Sequence, residues 1–152
     1  MRKLLTGVAL AALFFAARLA WNLVSLEPPP DPTPADLAAE AAEFDAAIAE
    51  EVAAGKAAPA LGWLAGPDNM LFEGDPESVQ SLIEGLYDAG AVGVWFTGIE
   101  PFGGKHISAA IAVELPHDAE IRTRLLRAQA DFWQETEPES DVGQRYLEFA
   151  FD

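Results

Sequence analysis

The feature that most limits this chain is the split imposed by its first 34 residues. Arg2 and Lys3 precede an apolar run from Leu4 to Val24, whose only strongly polar members are Arg18 and Asn22. Pro28, Pro29, Pro30, Pro32 and Pro34 come next. The run has the length and apolarity of a membrane span, and the prolines impose an extended polyproline-like backbone that makes a semi-rigid spacer. Any globular fold must come from the residues beyond this boundary.

Leu4 to Val24 is 21 residues, about 31 Å as a helix, which matches a hydrocarbon core of about 30 Å. Arg18 lies near the distal end, where its side chain can snorkel to the headgroups, and Trp21 suits the interface belt. Ala16 to Leu26 offers no clean pair of small residues for signal cleavage, so a retained anchor is preferred over a secreted protein. A lipoprotein is excluded, because acylation needs a cysteine and there is none. Arg2 and Lys3 precede the span and no basic residue comes after it until Lys56, which places the N-terminus in the cytoplasm. The expectation is a single-pass protein of the cell membrane, held through residues 4–24, with an extracytoplasmic C-terminal domain (periplasmic in a bacterium).

Charge narrows the partners. All 25 acidic residues lie beyond residue 26, against six basic ones (Lys56, Lys105, Arg122, Arg124, Arg127, Arg145), a formal charge of −19. Such a surface repels phosphate backbones, so no nucleic-acid partner is expected. The acidic residues are spread along the chain, which favours a solubility role. Without cysteine there is no disulfide, thiol nucleophile or thiolate metal site, and the domain must stand on its apolar core.

Local signals mark the elements. Thr33, Pro34 and Asp36 form a helix start, and the helix should run to Ala54 and stop at Gly55. Its apolar stripe is thin (Leu37, Phe44, Ile48, Val52), suited to docking on one surface. Lys56 to Pro67 reads as an irregular connector pinned by Trp63 and Leu64. Asn69 to Glu73 is a short strand. Asp75-Pro76 opens a helix whose Val79, Leu82, Ile83, Leu86 and Tyr87 share one face, ending at Gly90. Val92 to Ile99 and Ile107 to Leu115 are strands around the loop Pro101–Gly104. Asp118 caps a second helix reaching about Glu135, with Ile121, Leu125, Ala128, Phe132 and Trp133 inward, and Arg145 to Phe151 is the last strand.

The order β-α-β-β-α-β over residues 69–152 predicts an α+β, ferredoxin-like sandwich with an antiparallel sheet of order 4-1-3-2 and both helices on one face. The expected organisation is a transmembrane signal-anchor (1–26), a Pro-rich linker (27–34), an amphipathic helix with its connector (35–68) and this domain (69–152). Alternation assigns Met70, Phe72, Val92, Val94, Phe96, Ile107, Ala109, Ile111, Val113, Leu147, Phe149 and Phe151 to the helix side. The open side then carries Leu71, Trp95, Ala110, Ala112 and Tyr146, the expected surface for a protein partner or a homodimer, unless the 34–54 helix or the Trp63 connector covers it.

Chemistry is sparse. The third strand, ISAAIAVEL, lacks the aromatics of RNA-recognition versions of this fold, and the loop after the first strand, EGDPES, has neither a C-x-x-C nor an arginine cradle. His106 and His117 fall in loops, and Glu73, Glu114 and Glu148 read as solvated residues of the open face. No catalytic residue, cofactor or metal is assigned, and no enzyme is expected. Asp75-Pro76 resembles the aspartate and proline between first strand and first helix of ACT-type small-molecule sensing domains, with Glu77 in place of their usual glycine. That resemblance implies a ligand loop at Asp75 and Pro76; the preferred reading of the pair is a helix cap. The sequence thus predicts a membrane-tethered interaction or scaffold module, with an ACT-like sensor as the alternative and a hydrolase or other enzyme third.

Overall fold

The computed structural model describes residues 31–151. The expected membrane segment at residues 4–24, and the linker before residue 31, lie outside the described residues. Among the described residues no helix is long and apolar enough to cross a membrane. The compact unit begins at Pro34.

Helix α1 spans Pro34–Ala53. It ends where Gly55 takes a left-handed φ of 67°. There Gly55 N–H donates to Val52 and Lys56 N–H to Glu51, a Schellman closure. The connector is more ordered than its composition suggests. It holds a two-residue strand β1 (Ala58–Pro59) and a short helix α2 (Ala60–Leu64). Strand β2 is Asn69–Leu71. Helix α3 (Pro76–Asp88) starts at Asp75, whose carboxylate accepts the Ser78 N–H, and α4 (Ala119–Phe132) starts at Asp118, which accepts the N–H groups of Glu120 and Ile121. The remaining strands are β3 (Gly93–Thr97), β4 (Glu100–Phe102), β5 (Lys105–Ser108), β6 (Ala110–Glu114) and β7 (Tyr146–Ala150).

The result is a mixed α+β fold with two sheets, ordered β1-β3-β6-β7 and β2-β5-β4. The 4-1-3-2 order does not form. The C-terminal strand β7 pairs directly with β6, from Tyr146 opposite Glu114 to Ala150 opposite Ala110. Strand β2 instead runs parallel to β5, with Met70 opposite Ile107. The physical reason is length. Only three residues of β2 pair before Gly74 (φ 95°) and Pro76 turn the chain, too few to track the whole hairpin edge. The edge is therefore shared end to end: Phe72 N–H donates to Ser108 at 2.9 Å, and Phe151 N–H donates to Ala109 at 2.7 Å.

The hairpin also bends. Thr97 pairs with Ala110 and Glu100 with Ile107, while Gly98 between them sits at φ 58°. At the bend the Ser108 hydroxyl donates to the Thr97 carbonyl at 2.7 Å. Before it, Val94, Phe96, Ile111 and Val113 face the main core with α2, α3 and α4. Beyond it the facing reverses, so that Ile99 and Leu71 pack on that core instead. Five residues assigned to the helix side are thereby corrected: Met70, Phe72, Val92 and Ala109 are exposed, and Ile107 is only half-buried. Val92 precedes its strand; the other four obey the reversed pleat. Trp63 of α2 is buried in the core, its ring 4.3 Å from that of Phe96.

Candidate functional site

The face expected to be open is occupied by the chain's own helix. Phe44, Ile48, Ala49 and Val52 of α1 pack with Trp95, Ala112 and Tyr146. Ile48 is the one residue of α1 that is fully buried, so apolar contact alone is thin. Two carboxylates add to it. Asp45 accepts the N–H groups of Arg145 at 2.6 Å and Tyr146 at 2.8 Å, and Glu51 accepts that of Gly98 at 3.1 Å. Arg145 in turn lies over the Tyr146 ring and donates to Glu114.

Of the expected surface residues, the structure brings Trp95, Ala112 and Tyr146 together beneath α1. Ala110 is half-buried farther along β6, and Leu71 is separate from them, turned toward the main core. The indole N–H of Trp95 is buried without an acceptor among the described residues. It lies over Gly93, where an added Cβ would come within 2.8 Å of it.

Asp75 and Pro76 do what a helix start requires. The Asp75 carboxylate takes both the N–H and the hydroxyl of Ser78 at 2.9 Å, and these bonds hold its pKa below the usual value. Glu114 is engaged by Arg145, and burial pushes the Glu148 carboxyl upward. Glu139 is likewise raised, first by burial and then by Glu135 and Glu40. His106 and His117 are exposed. Among the described residues, no group of three or more His, Asp or Glu side chains is placed to hold a metal ion.

The bend at Gly98 creates a different surface, one that alternation alone missed. Rows across β2, β5 and β4 place Met70, Ile107 and Glu100 side by side, with Phe72 two residues beyond and Phe102, opposite Lys105, two residues before. Residues two apart share a face, so Met70, Phe72, Ile107 and Phe102 line the outer side of this small sheet. Phe72 and Phe102 are each 64% exposed, and Met70 is 38% exposed. The available signal was Gly98 within VGVWFTGIE, which alternation treats as an ordinary strand residue rather than a point of reversal.

Fold and site together define a small α+β domain with one sheet face closed by its own helix and an aromatic face left open. No family model, curated protein or solved structure matches the chain.

Proposed function

We propose that this chain is a membrane-tethered, extracytoplasmic interaction module that docks a partner protein on the outer face of the β2-β5-β4 sheet. The carrying observation is the pair of exposed phenylalanines, Phe72 and Phe102, on one sheet face with Met70 and Ile107. Aromatic side chains left in water on a rigid face are the usual anchors of protein interfaces. The face nominated by alternation is already filled by α1, which moves the docking surface to the other side of the bend. The sensor alternative has less behind it, because the Asp75 carboxylate is committed to Ser78. Kinship with the ferredoxin-like arrangement has one support, the parallel β2–β5 pairing.

The test is site-specific photocrosslinking of the full chain in its own membrane. A crosslinker at Phe72 or Phe102 should trap one discrete protein, and one at the exposed Trp133 should not. Equal labelling from all three positions, or none from either phenylalanine, would count against the proposal.

A further inference from the structure

We infer that the segment received by the Phe72–Phe102 face is cationic as well as apolar: a Lys- or Arg-bearing stretch of another protein, laid across the sheet. This rests on the interaction reading above and specifies its partner. From the Phe102 row to the Phe72 row the face extends four residues along β5, about 13 Å. Its apolar centre is Met70, Ile107 and the two phenylalanines. On the same side the register puts two exposed carboxylates, Asp68 and Glu100, beside one lysine, Lys105. None of the ion pairs among the described residues engages Asp68 or Glu100. Their field is therefore available to an incoming partner.

Charge complementarity decides between occupants. Two copies of this chain would bring these carboxylates together on domains that each carry a formal charge of −19 beyond residue 26, and like-charge juxtaposition opposes the encounter. Anionic headgroups are repelled for the same reason. A cationic segment is steered in and then held by aromatic burial. The β4 edge is poorly suited to strand addition, because Pro101 at its centre has no N–H to offer. Docking across the face is the mode that remains.

The experiment uses the full chain in phosphatidylcholine nanodiscs, with empty discs subtracted, titrated with three alternating dodecapeptides: Lys-Val, Lys-Ser and Glu-Val. The Lys-Val peptide should bind, and binding should fall by at least about tenfold in F72S/F102S, as expected when two aromatic anchors are lost. High salt should weaken it, Lys-Ser should bind correspondingly less, and Glu-Val should not bind. Equal binding of Glu-Val and Lys-Val would overturn the cationic partner while leaving the docking face standing. Self-association of the wild type that disappears in F72S/F102S would replace the partner by a second copy. Lys-Val binding that ignores the phenylalanines would overturn the face itself, and no binding by any peptide would overturn this inference without touching the crosslinking result.

Discussion

The carboxylate of Asp45, midway along α1, accepts the backbone N–H of Tyr146 at 2.8 Å across 101 residues of sequence. The same carboxylate takes the N–H of Arg145, so one side chain caps the start of the edge strand β7. An edge strand otherwise presents unpaired backbone groups to solvent. Here part of that row is covered from both sides, since Gln129 of α4 donates to the Glu148 carbonyl at 3.0 Å.

Asp45→Ala should therefore loosen α1 more than the domain. Charge-assisted bonds at a partly solvated site predict a loss of about 1–2 kcal/mol. Amide hydrogen exchange should quicken at Phe44–Val52 and at Tyr146, with α3 and α4 unchanged.

Ala112 is fully buried between the sheet and Ile48, whereas Ala110 is half-buried. Ala112→Glu should cost at least about 3 kcal/mol, because it places an unpaired charge under the helix. Ala110→Glu should cost clearly less. Urea denaturation of the two variants gives the comparison; equal losses would show that α1 does not close this face.

Gly98 has open space around its Cα, so the cost of a side chain there is conformational. Gly98→Ala should lose about 1–2 kcal/mol from the left-handed backbone alone. Gly62→Ala, in equally open space without a positive φ, should not destabilise the domain. Thermal melting of both variants separates backbone conformation from crowding.

Two carboxyl groups titrate with opposite signs. The Asp141 carboxyl is held below its ordinary value of 3.8 by its bond to Arg122, so its stabilisation is present above that value and is lost as pH falls through the lower folded one. Glu148 is raised above 4.5 by burial, so its ionisation penalises the fold as pH rises from 4.5 through the folded value. Asp141→Asn should lower stability near neutrality by less than about 1 kcal/mol, with the gap closing in acid. Glu148→Gln should raise stability near neutrality only slightly, because the residue stays exposed to solvent, and lose that advantage in acid, as read by melting temperature against pH.

The helix starts were legible because they are local chemistry: Pro34, Asp75-Pro76 and Asp118 each announce an element within a few residues. The thin stripe of α1 likewise gave its docked residues, Phe44, Ile48 and Val52. Strand pairing was not legible, because whether β7 or β2 lies beside β6 depends on how far β2 can extend before Pro76. A two-residue period also puts Phe96 and Phe102 on one side, yet Phe96 is buried and Phe102 is not. The residue that sorts them, Gly98, carries no side chain to reveal its role.

The placement of Glu51 has a mechanical consequence. Any force on the chain before Pro34 enters the domain through α1, and the helix would peel from its N-terminal end. Phe44 and Asp45 would let go first, then Ile48, and only after them Glu51, which holds the N–H of Gly98, and Val52. The same pull that uncovers Trp95 and Ala112 would thus free the pivot that aims Phe102 outward.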